Sequence, residues 1–150
     1  MKIALGCDHA GFVLKKEVKE HIEKLGYEVI DVGTNSEESV DYPDFAFACA
    51  EKVAKGEAEK GVIICGSGVG ACITANKVKG GRAAICHDEY SATQGVEHDD
   101  MNVICIGGRI VNNTTAKILV ENFLKAKFTK EERHLRRLNK VLDIEKNNFK

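Results

Sequence analysis

Long apolar runs are missing from this chain. Nowhere do 18 apolar residues follow one another, and no charged-then-apolar leader opens it, so neither a membrane span nor secretion is expected. Net charge is nearly absent too, at −1, which argues against a protein that seeks nucleic acid over its whole surface. There is no Cys-x-x-Cys and no Cys/His cluster at zinc spacing, so no metal is expected from the six cysteines. Cys7, Cys65, Cys86 and Cys105 fall in or at the ends of apolar runs, and Cys49 and Cys72 in helical stretches. Five of the six read as small buried hydrophobes in a reducing cytoplasm. Proline occurs once, as Pro43 in the longest irregular piece, Gly33–Asp44, where it can open a helix at its first position. With no repeat, low-complexity segment or linker, the 150 residues read as one domain, long enough to bury a real core.

What is present is a βα rhythm. Apolar runs recur at Ile3–Cys7, Tyr27–Val32, Val62–Cys65, Ala83–Cys86 and Val103–Ile106. Helix-length amphipathic segments near 11–25, 43–55, 69–79, 89–96 and 113–126 separate or follow them, and a last one lies near 130–147. Short right-handed crossovers then give an α/β fold, a Rossmann-like three-layer αβα sandwich on a five-stranded parallel sheet. Gly26 and Gly56 read as helix stops, and Thr129 with Glu132 as a capping box opening the final helix. That helix carries an apolar stripe of Leu135, Leu138, Leu142 and Phe149, suited to packing on a partner subunit or back on its own sheet.

The segment from Gly61 to Ala71 is the most informative. An apolar run, Val62-Ile63-Ile64, ends in Cys65 and passes into Gly66, Ser67, Gly68, Val69 and Gly70 before a helix. Glycines at a strand-to-helix turn let successive N–H groups converge on an anion, either phosphate or the oxyanion of an intermediate. Alone, the pattern reads equally as a tight turn. A dinucleotide fingerprint fits in part, since Asp88 follows about twenty residues on, but the order is G-x-G-x-G; no G-x-x-x-x-G-K-[ST] occurs. In an open parallel sheet the ligand lies at the carboxyl ends of the strands. The residues there are Asp8 and His9, Cys65 to Gly70, His87 and Asp88, and Gly107, Gly108 and Arg109. Tyr42, at another strand-end loop, is a ligand wall or a loop pin. His98, in the polar stretch Glu97-His98-Asp99-Asp100, reaches that edge only through a loop or from a second subunit. Residues 125–150 hold nine Lys/Arg against four Asp/Glu. Most read as a solvated face, but Arg133 and Arg137 stand four apart and can grip one phosphate.

Six stretches, Cys7 to Gly11, Ser39 to Asp44, Cys65 to Gly70, Glu97 to Asn102, Gly107 to Arg109, and Arg133-His134 with Arg137, together resemble the B-type ribose-5-phosphate isomerases, in order and over almost the whole chain. The resemblance implies a cytoplasmic aldose–ketose isomerase of the pentose phosphate pathway. It would interconvert D-ribose 5-phosphate and D-ribulose 5-phosphate through a cis-enediolate, without metal or cofactor. It also implies a homodimer, sometimes paired into tetramers, with sites at the subunit interface and no nucleic-acid or membrane partner. Carried over, it makes Cys65 the base at C1 and C2, His98 the group that opens the furanose ring, and Ser67 the hydroxyl that assists in place of threonine. The N–H groups of Gly66 to Gly70, Val69 included, would hold the enediolate oxygens. Arg109, Arg133 and Arg137 match phosphate ligands, Asp8 and His9 substrate contacts, Tyr42 a wall, and His134 a weaker contact. The carry-over pairs Cys65 and Arg133/Arg137 on one chain with His98 and Arg109 of the other. Another branch has a glutamate base just after the glycine loop; here Ala71 stands there, leaving Cys65. Galactose-6-phosphate isomerase subunits lack this cysteine. The family usually has His-Asn where this chain has His98-Asp99, and a carboxylate accepts but does not donate unless protonated, so Asp99 either accepts from a sugar hydroxyl, orients His98 or turns away. Two rivals stay open: an isomerase of allose 6-phosphate or another hexose phosphate, and a nucleotide- or CoA-binding module without chemistry.

Overall fold

Three strands made almost wholly of buried residues take the middle of the sheet: β1 (Lys2–Cys7), β3 (Lys60–Cys65) and β5 (Val103–Gly107). Shorter β2 (Glu28–Asp31) and β4 (Ala83–Ile85) close its edges, and every pairing is parallel in the order β2-β1-β3-β5-β4. The helices are α1 (Phe12–Lys24), α2 (Tyr42–Ala54), α3 (Val69–Ala75), α4 (Glu89–Asp99), α5 (Asn113–Lys125) and α6 (Glu132–Asn148). The structure, a computed structural model, describes residues 1–149. It has the Rossmann-like three-layer architecture that the periodicity predicts. Among the described residues no helix is long and apolar enough to cross a membrane.

The pleat sorts side chains into two cores. Ile3, Leu5, Val62, Ile64, Ile104 and Ile106 meet Leu14, Val18, Ile22, Val96, Leu119 and Phe123 of α1, α4 and α5. Ala4, Ile63, Cys65 and Cys105 meet Ala46, Cys49, Ala50, Ala71 and Ala75 of α2 and α3. The second face is built from small residues, so α2 lies close: a Cβ on Gly6 would stand 2.9 Å from the Phe45 carbonyl oxygen. Burial pushes the thiols of Cys7 and Cys86 up to about 11 and that of Cys49 to about 12, as inert packing groups require.

Connectivity positions the site. The chain leaves β1 for β2 on one side and returns to β3 on the other, so a crevice opens between the carboxyl ends of β1 and β3. Gly26 and Gly56 do end helices, at φ of 94° and 76°. Four local readings shift. The helix holding Pro43 begins one residue earlier, at Tyr42. α3 stops at Ala75 instead of residue 79, because the Asn76 amide exchanges two hydrogen bonds of 2.9 Å with the Ala83 backbone and so ties the chain to β4. α4 runs on to Asp99, which puts His98 on a helix and not in a loop. The capping box does not form: α6 is entered from Glu131 with no side-chain cap, while the Thr129 hydroxyl bonds His134 Nδ1 at 2.7 Å and Glu132 pairs with Arg136. α6 packs back on its own chain through Leu138 and His134, with Gly80 N–H donating to Glu145, and leaves Leu135, Val141 and Ile144 exposed.

Candidate active site

β3 ends in Cys65, 5 % exposed, and the turn after it folds back on the sulfur: the Gly68 N–H donates to Cys65 Sγ at 3.2 Å. Gly68 has φ 84°, which suits glycine, and a Cβ there would press on the Ile106 and Gly107 backbone. The turn is clamped from β5, since Gly108 N–H donates to Cys65 O at 2.7 Å and Arg109 N–H to Gly66 O at 3.1 Å. Those bonds set the Arg109 guanidinium beside Gly66.

Around this turn stand Asp8, Tyr42, Cys65, Gly66, Ser67, Val69, Gly70 and Arg109, joined by Ile73 and Ile110, lining an open cleft of about 570 Å³. Asp8 is buried at the end of β1, where its Oδ1 accepts the N–H groups of Ala10 and Gly11 at 3.0 and 3.1 Å, so the carboxylate is held rigidly with Oδ2 to spare. Tyr42, at the start of α2, lays its ring on Gly70, whose missing side chain makes the room. The Ser67 hydroxyl accepts the Val69 N–H at 3.2 Å and keeps its proton for another acceptor. Not all the turn's donors are free, because those of Gly68 and Val69 are spent on Cys65 and Ser67. The N–H groups of Gly66, Ser67 and Gly70 bond nothing among the described residues. The cleft thus offers a buried sulfur, unspent backbone donors, an accepting carboxylate and a cation: groups that fit an anionic, hydroxyl-rich ligand and the removal of a proton beside a carbonyl.

Other candidates lie elsewhere. His9 does not line the cleft; its Nδ1 accepts the Val40 N–H at 3.1 Å, which leaves the neutral ring's proton on Nε2. His87 accepts the Gly107 N–H at 2.9 Å and Asp88 caps α4 through Ser91, so both serve the framework. His98 sits in the last turn of α4, before β5 begins, whereas Cys65 pairs with the end of β5, so a strand length of about 16 Å separates their levels in one chain. Asp99 faces a groove between α4 and α6 with Arg82, Leu138 and Glu145. Arg133 belongs to the His98 side, its Nε 3.3 Å from Nε2 of His134, the ring that stacks on His98 at 4.0 Å; Arg137 adds charge there. The expected division between chains is therefore altered: Arg109 goes with Cys65, and Arg133 and Arg137 go with His98.

Three features escape sequence reasoning. Ile73 and Ile110 form an apolar rim, 57 % and 60 % exposed, with no local signal beyond their hydrophobicity. Cys72 is no inert filler: half-buried, its sulfur 3.6 Å from Ala83 O and 3.5 Å from the Asn76 amide, its thiol is drawn down to about 6, chiefly by Cys105. The His98–His134 stack needs α4 and α6 brought together.

Comparison with known proteins shows the family. The profile of the Ribose/Galactose Isomerase family matches residues 3–141. The chain is 46 % identical to ribose-5-phosphate isomerase B of Escherichia coli (strain K12), over 96 % of each chain. Among solved structures it is similar to ribose-5-phosphate isomerase B of Clostridium thermocellum, at 48 % identity and a TM-score of 0.94 over 98 % of this chain and 99 % of that one. It is also similar to the enzyme from Mycoplasma genitalium solved with bound ribulose-5-phosphate, at 42 % identity and a TM-score of 0.92 over 98 % and 97 %. Matched end to end by sequence and by fold, the chain belongs to the ribose/galactose isomerase family and is an isomerase, not a nucleotide-binding module.

Proposed function

We propose that this enzyme interconverts D-ribose 5-phosphate and D-ribulose 5-phosphate, with Cys65 as the base that moves the proton. The observation that carries the reading is Cys65 Sγ under the Gly68 N–H in a cleft that also holds Asp8, unspent backbone donors and Arg109. In the open-chain aldose the C2 proton is acidic only if the electrons it leaves can move onto O1. The thiolate takes that proton, the pair forms the C1=C2 bond, and the enediolate oxygens are met by the N–H groups of Gly66, Ser67 and Gly70. Return of the proton to C1, with the O2 proton passing to O1, leaves the ketose. Asp8 accepts a sugar hydroxyl, Ser67 donates to one, and Tyr42 walls the cleft. No metal or cofactor enters this sequence of steps.

The cleft of one chain lacks a group to open the furanose ring. We assign that role to His98 of a second copy, with Arg133 and Arg137 gripping the phosphate beside Arg109, Asp99 accepting a sugar hydroxyl and His9 nearby. The unit is thus a homodimer, its exposed α6 face available to the partner. Six unpaired thiols suit a cytoplasmic setting. A second substrate reading, a hexose phosphate, follows from the family's description, which covers galactose as well as ribose; retention of Cys65 favours the pentose, and comparing turnover of ribose 5-phosphate with that of galactose 6-phosphate and allose 6-phosphate decides it. The base is tested by Cys65→Ala. Turnover falls about 10²–10⁴-fold, the usual loss when a general base is removed, and exchange of the C2 proton with solvent deuterium stops while the fold is kept. Near-normal exchange in the variant assigns the base to another residue.

A further inference from the structure

Two imidazoles lie face to face away from the Cys65 cleft. The rings of His98 and His134 stack with centroids 4.0 Å apart and planes 23° apart. His98 is fixed in its plane by Gln94, whose amide bonds its Nδ1 at 3.0 Å, leaving Nε2 as the nitrogen it can present. His134 is 3 % exposed and holds both of its nitrogens: Arg133 Nε stands 3.3 Å from Nε2, and Thr129 Oγ1 lies 2.7 Å from Nδ1. A guanidinium only donates, so Nε2 accepts, and the ring is neutral with its proton on Nδ1, given to Thr129. Thr129 is anchored in turn, its N–H donating to Glu97 O at 3.0 Å, in the same helical turn as His98. The order of support runs from α4 to Thr129 to His134 and back onto the face of His98.

We propose that His134 is a positioning residue for His98: a buried neutral imidazole, locked by Thr129 and Arg133, whose face fixes the plane in which His98 presents Nε2 to the sugar. This rests on the reading of His98 as the ring-opening group. The titratable and charged groups around His134 are His98 from α4, Arg133 and Arg137 on α6, and Glu131, whose carboxylate lies 3.7 Å from Nδ1. Burial first, then His98 and Arg133, holds its pKa below the ordinary 6.5, and Glu131 opposes them only in part. The lock is therefore complete above about 6.5 and is undone as the pH falls through the lowered value, when a proton on Nε2 displaces the Arg133 bond and sets a cation against His98.

The test compares turnover of ribose 5-phosphate, which needs ring opening, with deuterium exchange from solvent into ribulose 5-phosphate, which needs proton transfer alone. His134→Leu lowers the ratio of turnover to exchange about tenfold or more, within the range that misplaced catalytic geometry costs, with KM little changed. His134→Phe, keeping a flat face that cannot be protonated, restores most of it and flattens the acid limb of the turnover profile. Should the leucine variant fold poorly, Thr129→Val leaves the ring in place and removes its Nδ1 acceptor; the slowly exchanging Nδ1–H seen by ¹⁵N-edited NMR disappears and the ratio falls in the same direction. Equal losses of turnover and exchange in every variant, or a change in KM alone, overturn the proposal. If His98→Asn leaves the ratio intact, the ring-opening reading fails instead, and ring-to-ring NOEs between His98 and His134, expected in the parent and weakened in Thr129→Val, still decide the positioning; NOEs unchanged in that variant overturn it.

Discussion

At the scale of single residues, two cysteines have been drawn away from the packing role of the other four by different means. Cys65 owes its environment to a backbone donor from Gly68 and a place at the floor of the cleft. Cys72 owes its lowered pKa chiefly to Cys105, whose own thiol is pushed well up by Cys72 and by burial. Alkylation must therefore be read site by site. With iodoacetamide and peptide mapping, ribose 5-phosphate is expected to protect Cys65 and to leave labelling of Cys72 unchanged; protection of both equally would place substrate elsewhere. Gly70 makes a second residue-scale point. A methyl there would occupy the space of the Tyr42 ring, so Gly70→Ala must move the tyrosine although alanine suits a helix better. We expect kcat/KM to fall about tenfold, a loss of about 1.4 kcal/mol in transition-state binding. Unfolding midpoints should stay steady, and Gly70→Ala added to Tyr42→Ala should cost almost nothing more. Full additivity of the two losses would show that Gly70 acts without the tyrosine.

At the scale of elements, strands and helices were legible wherever one physical demand dominated. Ile3–Cys7, Val62–Cys65 and Val103–Ile106 are apolar without interruption because a central parallel strand is covered on both faces, and the structure puts all three in the middle of the sheet. Boundaries failed where a side chain had two possible partners. Thr129 reads as a cap for the last helix, yet its hydroxyl goes to His134, a residue whose need for a partner exists only after α6 folds against α4. Asn76 likewise ends α3 early by bonding β4, which local sequence cannot announce. Asp88 illustrates a cap that does form, through Ser91 N–H at 2.7 Å and the Ser91 hydroxyl at 2.9 Å. These bonds lower its pKa, so its contribution is complete above the unfolded carboxyl value and is lost as the pH falls through the lower folded one. Denaturation by urea should find Asp88→Ala less stable than the parent at pH 7, with the gap closing towards pH 3. A gap independent of pH would mean that the carboxylate charge plays no part in the cap.

At the scale of the whole molecule, the fold divides the candidate residues between two ends. Asp8, Cys65 and Arg109 were findable because strand-end position and residue type coincide, and the topology does bring them into one cleft. That Arg109 stands with Cys65 while Arg133 and Arg137 stand with His98 was not findable, because it depends on where α4 and α6 return after leaving the sheet. On the proposed roles, the Cys65 side of one chain holds the base and the anion cradle with no ring-opening group beside them, and the His98 side holds that group with no base. Two copies related by a two-fold axis would supply both, twice. If that is the working unit, inactive Cys65→Ala protein mixed with inactive His98→Asn protein regains activity, because a heterodimer has one site with both lesions and one with neither. Random exchange of equal amounts places half of the dimers in the mixed state, each with one intact site of two, so recovery should approach a quarter of the parent's activity, an estimate of about 25 % that follows from two-fold symmetry. Arg133→Ala should rescue like His98→Asn when mixed with Cys65→Ala, whereas Arg109→Ala should not, since it shares the cysteine's side. Mass spectrometry establishes that subunits have exchanged; with exchange complete and no activity regained, the site lies within one chain and His98 must reach Cys65 by a movement of α4.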